Sequence, residues 1–165
     1  MFNFGRRPLT TMQKRSFEEA LNLILKEDRR YAAEAYFFVR TALDFTIKLY
    51  SKPDSGPARH VSGRELLEGL RQFALKEFGP MAFTVLKTWG LTCTEDFGGI
   101  VFNLVSKGVL GKTSEDRQED FTGGYNFEAA FVQPFQPAKT GKPHDEPAGS
   151  RTKPGRHATQ PRNKQ

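Results

Sequence analysis

Apolar residues recur every three or four positions through most of residues 16–107, the spacing that places side chains on one face of a helix. Ser16 and Glu19 form a capping box, in which a serine hydroxyl and a glutamate carboxylate each bind the other residue's backbone amide. A first helix is therefore expected to begin at Ser16. A wider apolar stripe over residues 31–49 predicts the central helix of the fold.

Start and stop signals then divide the middle of the chain. Residues 51–58 contain two prolines and a glycine, which favour a loop. Ser62 and Glu65 repeat the capping-box pattern and start a third helix. The pair Gly79-Pro80 ends this third helix and starts a fourth, because proline is well tolerated in the first turn of a helix. Gly90 then ends the fourth helix.

A fifth helix is predicted over residues 94–107, with Thr94 as its cap. Glu95 and Asp96 suit its amino-terminal end, where the helix dipole favours negative charge. The pair Gly98-Gly99 lies in its first turns, where each glycine costs up to about 1 kcal/mol relative to alanine. We therefore expect another backbone segment to approach this helix closely.

The last apolar segment, residues 125–131, has two interpretations. Apolar and other residues alternate there, which is typical of a strand, and a short helix from Phe127 fits the same residues. The predicted fold is a mainly α-helical, compact bundle of about five helices over residues 16–133. A carboxyl-terminal strand or hairpin would make it a winged-helix-like variant.

Charge is distributed unevenly along the chain. The 165 residues carry a formal charge of +6, yet residues 17–133 hold 14 basic and 17 acidic side chains. The excess of basic residues lies in residues 1–15, read as a flexible arm, and residues 134–165, read as a disordered tail because six of the ten prolines lie there and large apolar side chains are nearly absent. The basic side chains of the two ends are Arg6, Arg7, Lys14, Arg15, Lys139, Lys142, Arg151, Lys153, Arg156, Arg162 and Lys164.

Spaced cations on an extended backbone can follow a phosphate chain of any sequence and release counterions as they bind. The two basic ends are therefore predicted to contact RNA or a ribonucleoprotein such as the ribosome, with weak base preference because stacking aromatics are scarce. Four alternatives stay open from the sequence. The tail only aids solubility, the helical body is an adaptor that binds another protein, the protein is a winged-helix DNA-binding protein, or it is an enzyme of unrecognised type.

Several segments together resemble a known family. They are residues 28–36, residues 59–67, residues 78–90 and residues 94–102, with the motifs Asp-Arg-Arg-Tyr at 28–31 and Thr-Glu-Asp-Phe-Gly at 94–98. This set resembles the Minf-type family of hypothetical proteins from planctomycete and verrucomicrobial bacteria, over about residues 17–131. The resemblance implies a bacterial cytosolic protein and brings no activity or functional residues with it.

The helix predicted over residues 94–107 could occupy the place of a recognition helix in a winged-helix DNA-binding protein. Its side chains argue against DNA reading, because Glu95 and Asp96 would repel phosphates at its entry. Only Asn103 and Lys107 offer suitable donors further along the helix.

Enzymatic chemistry is sparse in the sequence, and no catalytic, metal or cofactor residue is assigned. His60 could act as an acid or base with Glu65 or Asp96 if the fold brings them together; the other histidines, His144 and His157, lie in the tail. Cys93 could gain thiolate character at a helix start, although burial is the usual fate of a lone cysteine. The carboxylates at 115, 116, 119 and 120 lack the glycine and spacing of a calcium loop and are read as a solvated turn.

The sequence also bears on where the protein works. Residues 1–8 lack the apolar run of a signal peptide. The apolar stripe over residues 31–49 is interrupted by four charged side chains, which argues against a membrane span. With one cysteine and no internal disulfide, we expect a cytoplasmic protein.

Overall fold

The computed structural model of the protein describes residues 16–50 and 61–137. Within these two stretches the chain forms six α-helices, three 3-10 turns and no β-strand, which confirms the predicted mainly α-helical class. The helices are α1 (Phe17–Glu27), α2 (Ala33–Tyr50), α3 (Gly63–Phe78), α4 (Ala82–Thr88), α5 (Thr94–Ser106) and α6 (Phe127–Phe131). The 3-10 turns are Gly79–Met81, Gln118–Phe121 and Gln133–Phe135.

Both predicted capping boxes are present. At the start of α1, the Ser16 amide donates to the Glu19 carboxylate at 3.1 Å, and the Glu19 amide donates to the Ser16 hydroxyl at 3.2 Å. The Ser62 and Glu65 pair repeats this arrangement at the start of α3. The proline-containing loop predicted over residues 51–58 lies outside the described residues.

The turns on either side of α4 follow the glycine positions. Gly79 ends α3 with a φ of 50°, and the 3-10 turn that contains Pro80 leads into α4. Gly90 follows α4 with a φ of 88°, a conformation that glycine adopts without steric cost. A side chain at Gly90 would also collide with the Arg30 carbonyl oxygen, so this turn fits closely against the segment between α1 and α2.

The start of α5 differs from the prediction by one residue. Cys93, not Thr94, occupies the N-cap position, and the Asp96 carboxylate accepts hydrogen bonds from the amides of Thr92 and Cys93. Thr94 is already helical, and its hydroxyl accepts a hydrogen bond from the Gly124 amide at 3.2 Å. Asp96 therefore performs the capping that the sequence pattern assigned to Thr94.

Gly98 and Gly99 are explained by close approach, as expected, but of side chains rather than of backbone. A Cβ at Gly98 would lie 2.9 Å from the Phe121 Cβ, and a Cβ at Gly99 would lie 2.7 Å from the Tyr31 hydroxyl. The prediction of a neighbouring backbone was therefore wrong. The helix needs glycine there because two aromatic residues pack directly on it.

The strand alternative for residues 125–131 was also wrong, and with it the hairpin of a winged-helix variant. The Asn126 side chain accepts a hydrogen bond from the Ala129 amide and caps α6. Phe127, Ala130 and Phe131 are buried, and this spacing of three and four residues places them on one helical face. Tertiary burial of that face overrides the alternating pattern.

The core is rich in aromatic side chains, several of which meet at Phe38 of α2. Phe38 of α2 contacts two rings of α3, with centroid distances of 5.5 Å to Phe73 and 5.8 Å to Phe78. It also lies 5.8 Å from Trp89 and 6.5 Å from Phe97 of α5. Phe38 thus joins α2, α3, the α4–α5 turn and α5.

Candidate functional site at the α1–α2 junction

The segment between α1 and α2, residues 28–32, carries a network of polar contacts that reaches α5. α1 ends at Glu27, and the Asp28 amide donates to the Ile24 carbonyl at 2.7 Å. The Asp28 carboxylate then accepts the Arg30 amide at 3.1 Å, which turns the chain sharply. The Ala32 amide donates to the Trp89 carbonyl at 3.0 Å, so the junction is fastened to the α4–α5 turn.

Asp28 binds partners on both sides of this turn. Arg30 donates to it from Nε at 3.0 Å and from Nη2 at 2.8 Å. Asn103 of α5 donates to the same carboxylate at 2.9 Å. The hydrogen bonds from the Arg30 side chain, together with that from Asn103, hold the pKa of Asp28 well below its usual range despite partial burial. Asp28 is therefore a carboxylate anchored between the junction and α5.

Two buried tyrosines complete the contact with α5. The Tyr31 hydroxyl donates to Asp96 Oδ1 at 3.0 Å, and the Tyr36 hydroxyl lies 3.0 Å from the Asn103 side-chain nitrogen, which donates to it. Burial raises the pKa of both tyrosines, and the Asp96 carboxylate raises that of Tyr31 further. Both phenols therefore stay protonated and act as fixed polar groups in the core.

Asp96 and Lys107 extend this contact over the length of α5. Burial opposes ionisation of Asp96, but hydrogen bonds from Thr92, Cys93 and Tyr31 outweigh it and lower its pKa. At the other end of α5, Lys107 Nζ lies 2.6 Å from the Glu27 carboxylate. Because α5 meets residue 31 first and residue 27 last, it runs antiparallel to the chain segment 27–31.

This arrangement clamps the junction and is poorly suited to acid–base or nucleophilic chemistry. Its carboxylates are ionised and already hydrogen-bonded, and its phenols are protonated. The Cys93 thiol lies beside it, half-buried, and burial raises its pKa, so the dipole of α5 does not give it thiolate character. The Arg30 guanidinium stays open to solvent, with 67% of its side chain exposed, and the neighbouring Arg29 is exposed as well.

The basic side chains predicted to bind RNA lie outside the described residues, in residues 1–15 and 138–165. His60, His144 and His157 lie outside them as well. The two carboxylates considered as partners for His60 have structural partners: Glu65 binds Ser62, and Asp96 caps α5. Both carboxylates therefore already have hydrogen-bond partners other than a histidine.

Two of the four carboxylates in the acidic stretch, Asp116 and Asp120, hold the backbone, so the prediction of a solvated turn was wrong for them. Asp116 is buried, and its Oδ2 accepts the Thr113 amide at 2.7 Å. Asp120 caps the next turn by accepting the Arg117 amide at 2.9 Å, while Glu115 and Glu119 are exposed. In the parts of the chain that the structure describes, no three potential metal ligands are grouped together.

The helix considered for DNA reading is one of the most buried elements. Between Thr94 and Ser106 only Glu95 and Ser106 are exposed. Its two candidate DNA contacts, Asn103 and Lys107, bind Asp28 and Glu27 instead. This helix has no free face to enter a groove, because the body of the protein covers it.

Sequence reasoning missed the pairing of Asp28 with Asn103 and of Tyr31 with Asp96. The residues of each pair lie 75 and 65 positions apart in the chain. A run of charged and aromatic residues between two predicted helices was the available signal, since such a segment must either reach solvent or find partners elsewhere. Nothing in the local pattern indicates which partners.

Comparison with protein-family models, with curated proteins and with solved structures finds no match to this chain. None of the helices in residues 16–50 and 61–137 has the length and apolar character that a membrane crossing requires.

Proposed function

We propose that this protein is a non-enzymatic binding protein whose basic terminal segments contact RNA or a ribonucleoprotein such as the ribosome. The observation that carries the proposal is the distribution of charge. The described residues hold 12 basic and 16 acidic side chains, whereas residues 138–165 hold seven basic and two acidic ones and residues 1–15 hold four basic ones. An acidic body with basic ends suits a grip on phosphates through the ends.

The partners found for the body's polar groups support a binding role over an enzymatic one. The carboxylates that a catalyst would use cap helices or anchor the junction, as Asp96 and Asp28 do. We further propose a cytoplasmic location and membership of the Minf-type family. The residues that carry the resemblance include Asp28, Tyr31 and Asp96, whose contacts join the junction to α5.

The proposal is tested on the full-length chain with a fluorescent polyuridine oligonucleotide of about 20 nucleotides, by anisotropy over a range of salt concentrations. In one variant the seven Lys and Arg residues of the tail, residues 134–165, become Gln. The matched control keeps these residues but scrambles their order, so that charge and composition are unchanged.

Loss of seven phosphate contacts would reduce the slope of log affinity against log salt by up to about 5, taking 0.7 per contact. We expect the neutralised variant to bind weakly with a shallow slope and the scrambled control to bind as wild type. Equal binding by all three proteins would contradict a role for the tail.

A surface on α1 and α2 favours a second candidate, a protein-binding adaptor. Phe37 is 47% exposed, and its ring lies 5.0 Å from that of Phe17. The Arg40 guanidinium lies 4.6 Å from the Phe17 ring centroid. Aromatic residues and arginine are enriched at protein interfaces. Capture of partners from native lysate separates the two candidates, because ribonuclease treatment releases partners held through RNA and leaves protein partners bound.

A further inference from the structure

The Arg30 side chain is held in one orientation while most of it stays in solvent. Asp28 accepts hydrogen bonds from its Nε and Nη2 atoms, which form one edge of the guanidinium. The Arg30 side chain is 67% exposed, whereas the Asp28 side chain is only 17% exposed. A guanidinium has five N–H donors, so three are left without a protein acceptor among the described residues. They include a second edge, formed by Nη1 and Nη2.

Hydrogen bonds that reach into the core hold the Arg30 side chain in this orientation. The carboxylate that holds Arg30 is itself held by Asn103 at 2.9 Å, and Asn103 also donates to the buried Tyr36 hydroxyl at 3.0 Å. The Arg30 guanidinium in addition lies 5.0 Å from the centroid of the Tyr31 ring. An arginine whose rotamer is already selected loses less conformational entropy when it binds a ligand.

Among the charged side chains from Lys26 to Arg30, the two without an ion-pair partner in the described residues are both basic, although the body is acidic. Lys26 and Arg29 are exposed, and neither has an ion-pair partner in the described stretches. Glu27 is paired with Lys107, and Asp28 is paired with Arg30. Asp96, the other carboxylate that acts on Arg30, accepts hydrogen bonds from Tyr31, Thr92 and Cys93. Lys26 and Arg29 therefore remain as exposed cations without a partner among the described residues.

We propose that the junction is a phosphate-binding site on the body, at which the free edge of Arg30 binds one phosphate of a single-stranded RNA and Lys26 and Arg29 bind its neighbours. The proposal rests on the RNA-binding function proposed above and adds a contact outside the basic ends. The planar guanidinium matches the phosphate group in a two-bond geometry. The site would add one contact of defined geometry on the folded body to the non-specific electrostatic binding of RNA by the basic ends.

The test uses the full-length chain and the same oligonucleotide. One variant combines Lys26→Gln with Arg29→Gln, which removes two charges and leaves the Asp28–Arg30 pair intact. The matched control combines Lys48→Gln with Arg64→Gln, two exposed side chains without a hydrogen-bond or ion-pair partner in the described parts. Lys48 lies about 22 Å along α2 from its start at the junction, given a rise of 1.5 Å per residue.

We expect the junction variant to lower the salt slope by about 1.4 and the affinity at 0.1 M salt by up to about 25-fold, because two contacts of 0.7 each are lost. The control should bind as wild type. A third variant, Arg30→Lys, keeps the charge and loses the second edge. It should bind more weakly with an unchanged slope, while its thermal unfolding reports whether the junction stays folded.

The outcomes separate this inference from the function on which it rests. If the wild type binds RNA, the tail variant does not, and the junction variant matches its control, the junction site is overturned and the RNA function stands. If the wild type shows no binding at low salt, both proposals fail. Equal weakening by the junction variant and its control would also overturn the site, because it would show a response to body charge alone.

Discussion

At the scale of single residues, Asp28 determines the geometry of the α1–α2 junction. It accepts hydrogen bonds from the backbone and side chain of Arg30 and from Asn103. Hydrogen bonds to charged groups contribute about 1.5–3 kcal/mol each when they are well formed, and removal of one partner leaves the others unsatisfied. The carboxylate is thus a local contact for the turn and a long-range contact for α5.

Replacing Asp28 with Asn should lower the free energy of unfolding at pH 7 by about 1–3 kcal/mol. The pKa of Asp28 is lowered in the folded state, whereas an unfolded aspartate titrates near 3.9. The unfolded chain therefore binds more protons as the pH falls, so this stabilisation is complete above about pH 4 and is lost below it.

Urea unfolding of both proteins at pH 7, 5, 4 and 3 measures this effect. The difference between wild type and Asp28→Asn should narrow below about pH 4, and a difference that stays constant would show that ionisation of Asp28 contributes nothing. Asp44→Asn serves as the control, since Asp44 is exposed on α2 and has no hydrogen-bond partner in the described chain. Its effect should stay within about 0.5 kcal/mol.

For the tyrosines that contact α5, the sequence predicted burial better than it predicted hydrogen-bond partners. Tyr31 belonged to the apolar stripe of the central helix and is indeed buried, as is Tyr36. Periodicity indicates which side of a helix faces the core, but it says nothing about what a hydroxyl meets there. Asn103 illustrates the same limit, because its amide was a candidate for DNA contact and instead binds Asp28.

At the scale of elements, the sequence predicted where helices start more reliably than which side chains contact each other across the fold. The boxes at Ser16 and Ser62 are local in sequence, so that their partners lie three residues away. The start of α5 was shifted by one residue because Asp96, a carboxylate inside the helix, replaces a capping hydroxyl. Residues 125–131 were ambiguous because seven residues do not distinguish a strand from a short helix that is held by packing.

The packing of α5 on the junction can be tested with Gly99→Ala. The added methyl would lie 2.7 Å from the Tyr31 hydroxyl, and overpacking of this kind costs about 1–3 kcal/mol. In a Tyr31→Phe background the hydroxyl is absent and the nearest ring atom is 3.3 Å away, so the same change should cost less.

The four proteins form a double-mutant cycle measured by denaturant unfolding. The gain in helix propensity from Gly to Ala, about 1 kcal/mol, is the same in both backgrounds and cancels. We expect an interaction energy above about 0.5 kcal/mol. Additive effects would mean that Tyr31 moves aside freely and that α5 does not depend on this fit.

At the scale of the whole molecule, the apolar core of the described residues and the excess of basic side chains belong to different parts of the chain. The apolar core lies in residues 16–50 and 61–137, and these residues also carry an excess of acidic side chains. Charge totals are read directly from the sequence, so this division could be predicted in full. The sequence could not predict which charged side chains contact each other in the folded protein, as Asp28 and Arg30 do at the junction.

Neutralising the seven cations of the tail should therefore leave the stability of the body unchanged, within about 0.5 kcal/mol, because the core lies elsewhere. Thermal unfolding at low and moderate salt checks this expectation. A loss of stability confined to low salt would instead show that the tail pairs with exposed acids of the body such as Glu115, Glu119 and Glu128.

The contacts of α5 with residues 27–31 also determine the order in which parts of the domain can fold during synthesis. Glu27 and Asp28 find their partners only 80 and 75 residues later in the chain. At a synthesis rate of 5–20 residues per second, Glu27 at the end of the first helix is made roughly 4–16 s before Lys107. During that interval the apolar face of the first helix has no α5 to cover it, so the nascent protein is most vulnerable to aggregation before the second half of the domain exists.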